Sequence, residues 1–358
     1  MTPDTLVKPD WADAKARIEA WWAGSSIGGR PAVAHVRLPK PNAAPAPSDP
    51  RPRAVYERDP AWQAAMACWT IENHEFPAET VPGVYPFIGS NLMVPATLAG
   101  GRPEYAPDTT WLKEEPGILD RPIPAFSPDM PDFQMLDGHL RAMAAAIGRR
   151  ALLSPPVLLD GLTTLSLFRG PQPLCMDLLE RPEQVKAAAR GLEALALAAH
   201  AAWWRTLEGL GQAQTITWAG IYAPGKCEMV QSDFSVMLSP EMFEEFTLPN
   251  LQRATEYFDY SCYHLDGTGQ CRFLDLLCSL PRLRAIQWNP EPGAGSPVAW
   301  LDFFRKVRRC GRSLWVVCPT VEEAVKLTHA LGPDGLMLVL RSPKSLAEMD
   351  AALEELTM

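Results

Sequence analysis

The chain has 358 residues, of which 47% are hydrophobic, and its formal net charge is −9. That hydrophobic content is enough for a large core, and barrels of alternating strands and helices commonly reach this length as one domain. The acidic balance without a basic run argues against nucleic acids and anionic membranes as partners. No apolar stretch reaches the roughly 20 residues of a membrane span. No basic-then-apolar leader is found, and the eight scattered cysteines are typical of reduced thiols, so we expect a cytoplasmic protein.

The first 150 residues predict helices and loops with few strands. Helices are predicted at 10–24, 59–75 and 129–148, candidate strands at 31–38 and 84–87, and a Pro- and Ala-rich loop at 40–53. We therefore expect residues 1–150 to form an N-terminal helical and loop extension together with the first strands.

From residue 151 onward, short apolar strands alternate with amphipathic helices, a pattern typical of repeated parallel βαβ units. Over the whole chain, candidate strands lie near residues 33, 85, 157, 216, 263, 286, 315 and 338. Eight strands favour a closed (β/α)8 (TIM) barrel over an open α/β sheet, and no glycine-rich nucleotide-binding loop follows a strand. The sequence predicts one domain over 1–358.

The stretch 261–270, Ser-Cys-Tyr-His-Leu-Asp-Gly-Thr-Gly-Gln, is the centre of the functional hypothesis. It predicts a buried strand that ends at a glycine turn, with His264 and Asp266 on the same face because strand side chains alternate. A histidine and an aspartate at a strand end can bind a metal ion or share a proton. The structural alternative is that Asp266 caps the next helix and His264 hydrogen-bonds to it.

In a (β/α)8 barrel the active site lies at the carboxyl ends of the strands, and polar and aromatic side chains follow several candidate strands here. Asp233 is a further candidate catalytic residue, and Glu79 flanks the second strand. The candidate substrate-binding residues are Asp160, Arg169, Trp218, Tyr222, Tyr263, Gln287, Trp288, Arg341 and Asn91. Structural alternatives stay open for several of them: Asp160 could cap a turn, Arg341 could pair with a carboxylate, and the tryptophans could be wall residues.

Three segments resemble the uroporphyrinogen decarboxylase and corrinoid methyltransferase superfamily. They are Ser-Pro-Glu-Met-Phe-Glu-Glu-Phe-Thr-Leu-Pro at 239–249, Tyr-His-Leu-Asp-Gly at 263–267, and Asp-Leu-Leu-Glu-Arg-Pro-Glu-Gln-Val at 177–185. The resemblance covers about residues 151–358 and implies a (β/α)8 barrel. It also implies either cofactor-free decarboxylation or methyl transfer. The chain has no R-Q-A-G-R loop of the haem-pathway decarboxylases, and it has Asp266 where thiol methyltransferases have a cysteine.

The leading hypothesis from the sequence is metal-assisted demethylation of a small methylated substrate, with a corrinoid protein as methyl acceptor. His264 and Asp266, with Glu79 as a third ligand, would hold zinc or another divalent metal, or His264 and Asp266 would act as acid and base. Asp233 would orient the substrate.

Two alternatives remain. In cofactor-free decarboxylation of a carboxylate or tetrapyrrole, Arg169 or Arg341 would hold the carboxylate, and Asp160 or Asp233 would stabilise the protonated intermediate. In the other, the chain would only bind a tetrapyrrole or corrinoid. The resemblance also implies a homodimer as one arrangement, because dimers are common among such proteins.

Overall fold

A computed structural model describes residues 6–35, 38–89, 93–106 and 109–357. The strands are β1 (Ala32–His35), β2 (Leu38–Pro39), β3 (His74–Glu75), β4 (Gly83–Val84), β5 (Pro103–Tyr105), β6 (Thr110–Leu112), β7 (Leu152–Leu153), β8 (Thr215–Ile216), β9 (Tyr222–Ala223), β10 (Cys227–Val230), β11 (Tyr260–Asp266), β12 (Ala285–Asn289), β13 (Ser313–Cys318) and β14 (Leu336–Leu340). The helices are α1 (Trp11–Trp22), α2 (Arg53–Tyr56), α3 (Pro60–Asn73), α4 (Val94–Leu98), α5 (Pro131–Ile147), α6 (Gly161–Arg169), α7 (Pro171–Glu180), α8 (Pro182–Gly209), α9 (Pro240–Met242), α10 (Leu248–Tyr257), α11 (Leu274–Ser279), α12 (Leu301–Arg309), α13 (Val321–Leu331) and α14 (Leu346–Thr357). None of the helices in these ranges is long and apolar enough to span a membrane.

The centre of this α/β fold is a six-stranded parallel sheet in the order β1-β14-β13-β12-β11-β10. Helices α11, α12 and α13 connect successive strands from β11 to β14, as parallel pairing requires. The strands are apolar on both faces: on β13, Leu314 and Val316 pack in the large cluster that includes helix residues, while Trp315 packs in a second cluster on the other face. The predicted α/β class is therefore confirmed.

Most candidate strands from the sequence correspond to observed strands, but the strand predicted near residue 157 is wrong. The chain is paired with β4 at β7, where Val84 lies beside Leu153, and the last ladder bond runs from Ser154 N to Val84 O at 2.9 Å. Pro155 and Pro156 follow, and proline has no N–H to donate, so the ladder ends there. Strand β10, which pairs with β11, was not predicted.

Helix α1 lies across the amino ends of the strands and fixes that end of the fold. The indole of Trp21 donates to Leu314 O at 3.1 Å, and the indole of Trp22 donates to Tyr222 O at 2.8 Å. The hydroxyl of Ser313 donates to Trp21 O at 2.6 Å. These contacts hold helix α1 against the amino end of β13 and against β9.

The motif helix at 240–257 is one continuous helical run with a π-helical turn at Phe243–Thr247. Ser239 caps it by accepting from Met242 N at 3.2 Å, and Pro240 occupies the first helical position, which are the positions that serine and proline prefer at a helix start. Pro249 cannot donate to the carbonyl one turn earlier, so the regular ladder is interrupted at this point.

Candidate active site

A cavity of about 480 Å³ opens at the carboxyl ends of β11 to β14. Its volume falls within the roughly 300–1,000 Å³ of small-molecule sites. Its lining includes Trp218, His264, Gln287, Trp315 and Arg341. Five of the site residues predicted from the sequence therefore line one cavity: Glu79, Trp218, His264, Gln287 and Arg341.

His264 is held in one orientation by its neighbour in the sheet. It lies directly beside Gln287 in the register of β11 and β12, and its Nδ1 is hydrogen-bonded to Gln287 Oε1. An amide oxygen only accepts, so Nδ1 carries the proton in this arrangement and Nε2 has a free lone pair. The Trp218 ring meets the imidazole edge-on with centroids 5.1 Å apart. The result is a buried imidazole with a fixed tautomer.

Asp266 lies on the same face of β11, with its Oδ1 3.9 Å from His264 Nε2. Asn289, its partner in the register, donates from Nδ2 to the same oxygen at 2.8 Å. The turn that follows has no side-chain cap, and Thr268 N donates to Glu291 instead. The capping alternative for Asp266 is therefore wrong, and its half-exposed carboxylate remains beside the imidazole.

Asp233 begins a 3-10 turn at Asp233–Met237, after β10. Burial raises the pKa of its carboxyl to about 6, while the nearby His264 lowers this pKa and Asp266 raises it. The charges of both residues thus act on the Asp233 carboxyl. A carboxyl that titrates near neutral pH can give and take protons.

Asp160 is a helix cap, as its structural alternative predicts. Its carboxylate accepts from Leu162 N at 3.0 Å and from Thr163 N at 3.3 Å at the start of α6. It lines a smaller internal cavity with Glu193 and Glu228, between the sheet and helices α8 and α10. Burial raises its pKa to about 7, against the lowering effect of its bonds to Thr163. The prediction that Asp160 contacts substrate at the strand ends is not supported by this position.

Four other predicted substrate-binding residues are engaged away from the cavity. Arg169 Nε is 2.5 Å from Asp177 Oδ2, which ties α6 to α7. The hydroxyls of Tyr222 and Tyr263 donate to Gln214 and Gln270, and Trp288 packs edge-on against Phe304. Tyr263 and Trp288 alternate with His264 and Gln287 on their strands, so they face the helices. Asn91 lies outside the described residues.

Glu79 lines the cavity, but its carboxylate is already bound. Arg30 contacts both oxygens at 2.8 Å, and Val33 N donates to Oε2 at 2.6 Å. Within the described ranges, no three His, Cys, Asp or Glu side chains form a group that could hold a metal ion. The three-residue ligand set of His264, Asp266 and Glu79 is therefore not formed, because Glu79 serves as the ion-pair partner of Arg30. A metal on His264 and Asp266 alone stays a prediction.

Two histidines and a glutamate that line the cavity were not predicted from the sequence: His35, His74 and Glu75. His35 is the last residue of β1, so the rule that strand ends carry the site could have found it. His74 and Glu75 form β3 directly after α3, and no strand-end signal marks them. His74 Nδ1 bonds to Thr70 O at 2.9 Å, which fixes the proton on that nitrogen.

No protein-family model matches the chain, and a search of curated proteins also gives no match. Function is therefore inferred from the cavity, its side chains and the three sequence motifs. His264, held by Gln287, and Arg341 line the cavity, and the Asp233 carboxyl, whose pKa is about 6, lies close enough to His264 for the imidazole to affect that pKa.

Proposed function

We propose that the chain is an enzyme of the uroporphyrinogen decarboxylase-like superfamily that removes a carboxyl group from a small organic acid by acid–base chemistry, without a cofactor. The observation that carries this proposal is that His264, oriented by Gln287, lies close enough to the Asp233 carboxyl to affect its pKa, which burial raises to about 6. Two titratable groups with different environments in one site are what acid–base catalysis uses.

The proposal includes closure of the strands into a (β/α)8 barrel. Beyond β1, the backbone hydrogen bonds continue to the next segment, since Glu79 N donates to Val33 O at 2.8 Å. The same segment then pairs in parallel as β4 with β7. Gln212 next joins Leu153 through both its amide oxygen and its amide nitrogen. This succession from β1 toward β8 supports a ring more than an open sheet with two free edges.

The substrate acid would be held by Arg341. The other candidate, Arg169, is committed to Asp177. The exposed Arg341 has no ion pair within the described part of the chain, and it lines the cavity. Guanidinium groups bind carboxylates in two-point contacts, and the indoles of Trp218 and Trp315 give the cavity an apolar wall. This combination fits an organic acid with a flat apolar body.

In the reaction, the bond between the substrate carbon and its carboxylate breaks, and carbon dioxide leaves. The electron pair stays on the carbon, delocalised into an adjacent carbonyl or aromatic ring of the substrate. Asp233, in its protonated form, gives its proton to that carbon and is reprotonated from solvent. His264 would orient the substrate, because the lone pair on its Nε2 can accept a hydrogen bond from a donor group of the substrate. Each turnover consumes one proton and releases one carbon dioxide.

The test is release of labelled carbon dioxide from a panel of carboxyl-labelled acids, with tetrapyrrole acetates and small β-keto and aryl-acetic acids included. We expect Asp233→Asn and His264→Ala to lower turnover by about 100-fold or more, in the range of general acid–base contributions. Asp302→Asn, at an exposed aspartate on α12, is the matched control and should keep wild-type turnover. Unchanged turnover in both site variants would overturn the proposal.

Metal-assisted methyl transfer to a corrinoid protein is the second candidate, favoured by the separation of 3.9 Å between His264 Nε2 and Asp266 Oδ1. Two protein donors fall short of the three that catalytic zinc sites use, and for that reason we rank it second. Metal content of the purified wild type and of His264→Ala distinguishes the two functions. About one equivalent of metal in the wild type that is lost in the variant would favour methyl transfer.

Visible absorbance of the purified protein that persists without turnover would favour the tetrapyrrole- or corrinoid-binding alternative.

A further inference from the structure

A groove of about 340 Å³ lies at the amino ends of β12 and β13, at the end of the sheet opposite the candidate active site. Three of its lining residues are arginines: Arg282, Arg284 and Arg312. Arg284 and Arg312 directly precede β12 and β13, and the end of α1 at 22–24 forms the other wall. We call this feature the arginine groove.

The arginine groove carries a net positive charge on an acidic protein. None of its lining residues is acidic, and the whole chain has a formal charge of −9. The carboxyl ends of α1 and α12 also point there, and each contributes about −0.5 of a charge. Three guanidinium groups against two helix ends therefore leave about +2 in the groove.

The arginines keep unused hydrogen-bond donors. Arg312 donates from Nη2 to Cys278 O and Leu280 O at 2.9 and 2.8 Å, but its Nε is buried and has no hydrogen-bond partner among the residues that the structure describes. Arg284 donates from Nε to Asp259 O at 2.9 Å and lies over the Tyr260 ring. Arg282 is exposed and has no ion pair within the described residues. Two of the three are therefore anchored by backbone contacts, and the third is free to close on a ligand.

We infer that the arginine groove binds the phosphate group of a small organic phosphate. A phosphate dianion matches the local charge, and guanidinium groups bind phosphate oxygens in paired contacts that lysine cannot reproduce. A volume of about 340 Å³ is at the lower end of small-molecule sites, so it has room for an organic part beside the phosphate. Because Arg284 and Arg312 are already held in place, less side-chain entropy is lost when a ligand binds.

The experiment is isothermal titration of the full chain with inorganic phosphate, glycerol 3-phosphate and acetate, at constant ionic strength set with sodium chloride. We expect one saturable site for the two phosphates and none for acetate. Arg282→Gln should weaken phosphate binding about tenfold or more and keep the wild-type melting temperature, because the Arg282 side chain is exposed. Arg305→Gln, at an exposed arginine of α12 outside the groove, should bind like the wild type.

Tighter binding of glycerol 3-phosphate than of inorganic phosphate identifies an organic phosphate as the ligand, and equal binding identifies the phosphate group alone; both support the site. No saturable binding to the wild type, or equal binding by wild type and Arg282→Gln, would overturn it. Acetate that binds as tightly as phosphate would also overturn the proposed phosphate site, since non-specific charge screening would then explain the heat measured in the titration. His264→Ala should leave phosphate binding unchanged, which separates this inference from the proposed function.

Discussion

Asp233 is the residue whose protonation should control the pH dependence of turnover. Burial raises the pKa of its carboxyl to about 6, and a proton donor is active only in its protonated form. We therefore expect kcat/KM to fall as the pH rises through about 6. Asp233→Asn should lack this descending limb as well as being slower. The pH–rate profiles of wild type and variant check this, and a limb at the same pH in the variant would assign it to another group.

Gln287 acts through His264 and is a positioning residue. Gln287→Leu keeps a similar volume but removes the oxygen that accepts from His264 Nδ1, so the imidazole loses its fixed tautomer and orientation. We expect kcat to fall about 10- to 100-fold, as for other residues that orient a functional histidine, with a smaller change in KM. Gln252→Leu, on an exposed face of α10, is the control. A higher KM with an unchanged kcat in Gln287→Leu would show that Gln287 contacts substrate and does not orient His264.

At the scale of elements, β11 to β14 were predictable and β7 and β10 were not. The first group consists of apolar runs of five to seven residues that end in turns, so local pattern is sufficient. Strand β7 has only two residues and is followed closely by two prolines, so it shows no long apolar run. Strand β10 can be recognised only from its pairing with β11. Pairing over long separation leaves no local signal.

The candidate site follows the same division. The expectation that His264 and Gln287 meet at strand ends depends on strand periodicity alone, and the register confirms that they are neighbours. The role of Asp160 could not be predicted from the local sequence, because only the packing of α6 decides whether its carboxylate caps a helix or binds a ligand. Glu79 is a predicted metal ligand because it flanks a candidate strand, and its ion pair with Arg30 has no local signal because the two residues are 49 positions apart.

Gly161, the first residue of α6, is predicted to be the glycine that packing requires most strictly. A Cβ built there would lie 1.9 Å from Ala189 O of α8, so α6 could not keep its contact with α8. We expect Gly161→Ala to destabilise the fold by about 2 kcal/mol or more, since overpacking forces backbone shifts. Gly138→Ala in α5 has no atom within 4 Å of the new Cβ and should be neutral or stabilising by about 1 kcal/mol. Urea unfolding of the two variants tests this, and similar stabilities would contradict the close contact.

At the scale of the whole molecule, helices cover one face of the sheet, and the internal cavity in that layer holds three buried carboxyls. Burial raises the pKa of Glu193 and Glu228 to about 8 and that of Asp160 to about 7. Their neutral forms are thus favoured by the fold. Glu193 Oε2 accepts from Gly161 N at 3.1 Å, and Glu228 Oε2 accepts from Leu158 N at 3.4 Å, so both carboxyls also connect separate segments of the layer.

These carboxyls should make the folded protein less stable at alkaline pH. In the unfolded chain such groups release their protons near pH 4, whereas in the fold they keep them to about pH 7 or 8. Between these limits the folded state binds more protons, so the free energy of unfolding falls as the pH rises. Glu193→Gln keeps an amide oxygen for Gly161 N and cannot ionise. We expect the loss of stability between pH 5.5 and 8.5 to be smaller in this variant by about 1 kcal/mol or more, measured by urea unfolding. Glu354→Gln, at an exposed position of α14, should behave like the wild type. If Glu193→Gln followed the wild-type pH dependence, the Glu193 carboxyl would already be ionised in the fold, and the layer between sheet and helices would have to supply it with a countercharge.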